Sequence, residues 1–210
     1  AASAIAGLLY SISQKNIKRA LAYSSIENMG IAAMGIGCGI LGISIANPTM
    51  IFFGFAGALM HMLNHSIFKP LLFLGAGASL HASGSANIEE LGGLAKKMPV
   101  TSSCFLTGAA AISGLPPLNG FIGEFLIYYA AFSGLMMQNP ETTVLMLAVI
   151  ITLAISGGLA ALSFTRLYGI VFSGEARTEK AAPSKIHESA WTMRIPMIIM
   201  SGLCLIIMPF

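Results

Sequence analysis

His61, His65 and Lys69 recur at every fourth position through an otherwise apolar stretch, GALMHMLNHSIFKPLLFLGAGASL, at residues 57–80. On a helix this spacing stacks the three side chains along one face with about 6 Å between successive Cα atoms, close enough for one or two waters to bridge neighbours. Imidazole exchanges protons near neutral pH and an ammonium is itself a donor, so the row has the chemistry of a proton relay. The competing reading gives each histidine a backbone carbonyl and lets the lysine snorkel to the interface. Three groups in register, with Asn64 and Ser66 beside them, favour the relay.

Glu124 is the second anomaly. It stands in GFIGEFLIYY, just after the run SGLPPLNG at 113–120. It lies some ten residues from the uncharged end of its span, or roughly 15 Å, half the hydrocarbon thickness. A carboxylate at that depth must be paired, hydrated or protonated, and a nearby Lys69 ammonium and the surrounding hydrocarbon would pull its protonation in opposite directions. The alternative role is a cap on the second half-helix, through free backbone N–H groups. Glu27, in AYSSIENMG, lies about two turns into its span and reads either as a relay member or as a side chain reaching the headgroups. Lys18 marks either a proton entrance or the charge bias of a loop. Arg166, close to the end of a span, reads as a snorkelling structural residue.

These groups have to be positioned in lipid. Of the 210 residues 56% are apolar and only 9% charged, with mean hydropathy +0.82, whereas about a quarter of a soluble domain is charged. All eight acidic residues are glutamates, and most of the 23 glycines lie inside apolar runs, as suits helices packed closely in a membrane. Unbroken apolar runs of about twenty residues exclude the ten-residue alternation of a transmembrane barrel. The fold class is therefore all-α, a polytopic transmembrane helix bundle.

The punctuation predicts a single transmembrane unit over 1–210, with spans at about 1–13 (partial), 20–46, 50–80, 100–135, 143–172 and 191–210. AASAIAGLLYSIS at 1–13 is too short to cross and reads as the end of a helix that starts upstream, making the chain part of a longer protein. Pro70 is the expected kink in the third segment. Lys15, Lys18 and Arg19 fall in the first loop, Lys96 and Lys97 in the third, and Arg177, Lys180, Lys185 and Arg194 in or beside the fifth. Loops two and four have no basic residue, which puts 14–19, 81–99 and 173–194 on the cytoplasmic side of a cell inner membrane. That alternation requires 100–135 to cross once, as two half-helices broken at 113–120 inside the membrane, the way transporters build ion sites.

Other chemistries lack their residues. Cys38, Cys104 and Cys204 are scattered and form no CxxC. HMLNH has the i, i+4 histidines of a zinc site but Met62 where HExxH needs its glutamate, so no metal site is expected. GAGAS lacks the P-loop lysine, no GxSxG occurs, and a net charge of +3 without a basic aromatic run gives nucleic acid no footing. No cofactor is expected.

NIKRALAYSSIENMG, HMLNHSIFKPLLFLGAGA, ELGGLAKKMP and SGLPPLNGFIGEF resemble, in order and spacing, the second half of the antiporter-like proton-conducting subunits. That family serves complex I, multisubunit Na⁺/H⁺ antiporters and membrane-bound [NiFe] hydrogenases. The wording looks most like the large membrane subunit of formate hydrogenlyase and related hydrogenases. The resemblance implies that His61, His65 and Lys69 match the polar axis, Lys18 the loop lysine, and Glu124 the titratable residue on the second broken helix. Asn16 stands where an acidic residue usually precedes the IKR run, and the other broken helix would precede residue 1. The function so implied is proton translocation in a membrane redox complex, of hydrogenase, formate hydrogenlyase or complex I type. The subunit would not be catalytic alone, and its partners would be other membrane subunits, peripheral redox subunits and the bilayer. Two alternatives stand beside it: a Na⁺/H⁺ antiporter subunit, or a membrane anchor that conducts nothing.

Overall fold

A computed structural model describes residues 1–137, 139–182, 184 and 186–207. Among them are seven α-helices and no β-strand: α1 (Ala2–Ser13), α2 (Ile17–Ser44), α3 (Pro48–Ser83), α4 (Pro99–Ile112), α5 (Asn119–Leu135), α6 (Pro140–Val171) and α7 (Trp191–Ile206). The all-α bundle with one discontinuous helix is thus present. Helices α2, α3 and α6 are long and apolar enough to cross a membrane. Lys185 of the basic fifth loop and the end of the last expected span, 208–210, lie outside the described residues.

Asparagine starts three of these helices. Asn16 Oδ1 accepts from the backbone N–H groups of Lys18 and Arg19, Asn47 Oδ1 from Met50, and Asn139 Oδ1 from Glu141 and Thr142. Each such cap contributes about 1 kcal/mol. Pro48 and Pro140 sit in the first turn, where a missing N–H costs nothing. The place usually held by an acidic residue, Asn16, is therefore a helix cap. Helix α3 runs unbroken through Pro70 for 36 residues. At 1.5 Å per residue it is roughly 54 Å long, well beyond the ~30 Å hydrocarbon core.

Close packing is bought with glycine. A Cβ on Gly54 of α3 would stand 2.5 Å from the backbone nitrogen of Gly39 on α2, and one on Gly7 of α1 would stand 2.7 Å from that of Glu27. Small residues let backbones approach in lipid, where dispersion rather than water release drives association.

Helices α4 and α5 lie end to end along α3, both antiparallel to it. Gly57 faces Ile127 and Gly123 faces His61 in the α5 half, while Gly108 faces Leu72 and Gly75 faces Phe105 in the α4 half. The break at 113–118 is therefore level with residues 65–70 of α3. Polar pairs mark both ends of the α5 half. At one end Asn47 Nδ2 donates to Ser133 Oγ over 3.1 Å, and at the other Asn64 Nδ2 donates to the Asn119 carbonyl over 2.7 Å.

The first, third and fifth loops are tied into one ledge. Ile17 N–H donates to Ala86 O and Ile88 N–H to Lys15 O, flanking an antiparallel bridge between Asn16 and Asn87. Gly93 and Ala95 N–H donate to Ser173 and Phe172 carbonyls. Ion pairs Lys15–Glu89, Lys96–Glu175 and Lys180–Glu90 decorate this frame, but exposed pairs of this kind contribute little singly. From the fifth loop Glu188 reaches the start of α4, accepting from Val100 N–H at 2.8 Å and Thr101 Oγ1 at 2.5 Å. A carboxylate there meets both the free N–H groups and the positive end of the helix dipole.

Candidate functional site

The site forms where α2, α3 and the start of α5 meet. Lys69 is 5% exposed and its Nζ donates to Ser24 Oγ of α2 over 2.5 Å. It does not snorkel. Ser24, Glu27 and Asn28 share one face of α2 at i, i+3 and i+4, so the turn that holds Ser24 also presents a carboxylate. Asn28 Nδ2 donates both to the Ser24 carbonyl, at 2.8 Å, and to Glu27 Oε2. Glu27 is 1% exposed, walled by α1 at Gly7, which rules out its reaching the headgroups.

Glu27 lies within electrostatic range of both of the other members, Lys69 and Glu124. The sequence pointed to Lys69 as the charge beside Glu124. In the structure the charges of both Lys69 and Glu124 act on Glu27. The reason is the α2 face, which no spacing on α3 or α5 reveals.

Glu124 is half-buried, and its carboxylate folds back on the helix break. A Cβ on Gly114 would stand 3.0 Å from Glu124 Oε2, and Gly114 has φ +64, a backbone region that favours glycine. It caps nothing: α5 starts without a side-chain cap, and the carboxylate makes no hydrogen bond with the described residues. Through the same fold-back it sits at the level of His65 and Lys69.

The histidines are unlike each other. His61 is 1% exposed, and neither ring nitrogen has a hydrogen-bond partner. His65 is half-buried, with its ring edge-on to Phe68 and its Nε2 unpartnered. Backbone carbonyls do not satisfy these imidazoles, contrary to the structural alternative. Along α3 the two histidines interact electrostatically with each other, and His65 with Lys69. Lys18 is exposed at the start of α2, on the ledge and apart from this cluster. Arg166 donates from Nη1 to the Ile12 carbonyl over 2.8 Å, closing the end of α1, a structural role. Among the described residues no three His, Cys or Glu side chains are grouped to hold a metal.

Four polar residues at the site carry no sequence signal of their own. Ser24, Asn28 and Asn119 are buried and bonded into it, and Asn64, noted only as a neighbour of the histidines, is fully buried against Asn119. A search for polar residues within one turn of the ionisable ones would have found Ser24 and Asn28. The Asn64–Asn119 pairing needs the antiparallel register of α3 and α5.

Comparison with known proteins gives consistent results. The profile of a family described as NADH:quinone oxidoreductase/Mrp antiporter, transmembrane, matches residues 1–156. The chain is 41% identical over 210 residues to hydrogenase-4 component B of Escherichia coli (strain K12), covering 99% of this chain and 30% of that protein. It is 44% identical over 182 residues to formate hydrogenlyase subunit 3 of the same organism, covering 85% and 29%. Among solved structures, the membrane-bound sulfane sulfur reductase, an archaeal respiratory membrane complex, contains a chain that superposes with TM-score 0.79 at 25% identity, over 99% of this chain and 30% of that one. The chain thus spans about three tenths of the length of these relatives.

Proposed function

From the premise that this chain belongs to the NADH:quinone oxidoreductase/Mrp antiporter transmembrane family, we propose that it forms the part of a proton-translocating subunit that holds its buried relay. The observation that carries this reading is Glu27: a carboxylate 1% exposed, held by Asn28, and set within electrostatic range of both Lys69 and Glu124. Ionisable groups at such depth are costly, and a row of them is retained for moving charge.

In this reading protons pass among Lys69, Glu27, His65, His61 and Glu124. Buried imidazole nitrogens without protein partners are met by ordered water, and His61 and His65 present three such nitrogens between them. Water on these atoms bridges gaps that side chains alone do not. Glu27 makes the relay responsive, because a change in its charge alters the field at both Lys69 and Glu124. Coupling then consists of biasing which member holds the proton. Lys18 contributes at the entrance, where the ledge concentrates positive charge, and the ledge faces the cytoplasm by the bias of basic residues. The partners are other membrane subunits of a hydrogenase or complex I-like assembly, with peripheral subunits that carry the redox chemistry.

The test is proton uptake by proteoliposomes containing the whole complex, driven by its electron donor. Glu124→Gln is expected to stop or sharply reduce uptake per turnover, and unchanged uptake would remove this residue from the relay.

A further inference from the structure

Resting on the relay reading, we propose that Asn64 and Asn119 form a positioning clamp for proton passage between His61 and Glu124, with the free Oδ1 of Asn119 as the acceptor that orders the intervening water. Asn64 Nδ2 donates to the Asn119 carbonyl at 2.7 Å, and Asn119 Nδ2 donates back to Asn64 Oδ1 at 3.2 Å. Both residues are fully buried. Asn119 is the first residue of α5, where a helix leaves its N–H groups open and the chain has just emerged from the break. Two bonds to α3 fix this otherwise uncapped start.

The clamp sits where alignment matters. Asn64 is one turn beyond His61 on α3, and Asn119 is one turn before Gly123 on α5, so the four residues face each other across a single antiparallel seam. Gly123 lies against the His61 backbone, and Glu124 follows it directly. Shifting the start of α5 along α3 therefore shifts the Glu124 carboxylate relative to the His61 ring.

Three buried polar atoms on this seam have no partner: Nδ1 and Nε2 of His61, and Oδ1 of Asn119. An amide that spends its nitrogen and its backbone carbonyl on the clamp has an acceptor left over. Leaving such an atom unpaired in a buried site is costly, and a single water bonded to it and to the imidazole removes that cost. Scaffolding alone would be served by an apolar contact; an amide with one oxygen held in reserve is suited to hold water in place.

The experiment uses the assembled complex in proteoliposomes, with protons translocated per turnover as the readout and subunit content measured separately. Asn119→Leu keeps the volume but loses the amide; Asn119→Asp keeps an oxygen on the seam; Asn64→Leu removes the α3 half of the clamp. Both leucine variants are expected to assemble and to lose on the order of tenfold in protons per turnover, the scale of a small misplacement of reacting groups. The aspartate variant is expected to recover part of that loss. A ratio unchanged in Asn119→Leu would overturn the proposal, as would failure of both leucine variants to assemble, which would make the pair scaffolding. An aspartate variant as poor as the leucine would deny Oδ1 its role. Glu124→Gln is run in parallel: if it too leaves the ratio unchanged, the relay reading itself falls, whereas loss in Glu124→Gln alone removes only the clamp.

Discussion

Gly123 of α5 packs on the backbone of His61 of α3 so closely that a Cβ would stand 2.7 Å from His61 Cα and 2.8 Å from its nitrogen. No flexible side chain is there to yield. Gly123→Ala is therefore expected to push α5 off α3, at a cost of about 1–3 kcal/mol typical of overpacking. A lower thermal unfolding midpoint of the solubilised complex and reduced proton uptake would follow. Gly157→Ala on α6, where the added methyl meets nothing within 4 Å, is the control and should lower neither.

Ser24→Ala removes the hydroxyl that receives the Lys69 ammonium. A hydrogen bond to a charged group contributes about 1.5–3 kcal/mol, so the variant is expected to destabilise by that order and to slow proton translocation. Ser25→Ala provides the comparison, since Ser25 bonds only the Leu21 carbonyl at 3.4 Å. Equal effects of the two substitutions, measured by unfolding midpoint and proton uptake, would show that Ser24 does nothing special for Lys69.

Glu188→Ala uncaps α4, taking acceptors from Val100 N–H, Thr101 N–H and Thr101 Oγ1 at once. The expected cost is about 0.5–2 kcal/mol, expressed locally as faster protease cleavage in the fifth loop. Glu188→Gln should retain part of the protection, because an amide oxygen can still accept.

On the ledge, Lys180 and Ser85 donate to Glu90 and hold its carboxyl below the ordinary glutamate value. A carboxyl depressed in the folded state adds stability that is present above its unfolded value near 4.5 and is lost as pH falls through the lower, folded one. Contact between the third and fifth loops should accordingly loosen in that acid window. Hydrogen exchange of the Gly93 and Ala95 amides, which donate across these loops to the Ser173 and Phe172 carbonyls, followed from neutral pH downward, reads this out. In Lys180→Ala the loss should begin at higher pH, since the larger cause of the depression is gone.

How much of this was legible in the sequence depended on whether a signal lay within one element. His61, His65 and Lys69 are recognisable from spacing on one helix, and Glu124 and Glu27 from the rarity of carboxylates in apolar runs. SGLPPLNG announces a break because proline and glycine act locally. What stayed hidden lies between elements. The electrostatic reach of Glu27 to both Lys69 and Glu124, the bond from Lys69 to Ser24, and the pairing of Asn64 with Asn119 all require knowing which helix faces which. Serine and asparagine are too common to mark a site without a partner. Asn16 is a milder case: its departure from the usual acidic residue reads as a loss, whereas the fold uses its side chain to start α2.

Because Asn47 holds Ser133 and Asn64 holds Asn119, the α5 segment is anchored at both ends against one partner. Inserting or deleting a single residue between these anchors would turn everything beyond it by about 100° around the helix axis, swinging either Glu124 or one of the anchors away from the seam. Segment length is thus frozen, in addition to the demands that Gly123 and Glu124 place on residue identity within it. Related chains that keep a titratable group on this half-helix should therefore accommodate gaps only outside residues 119–133.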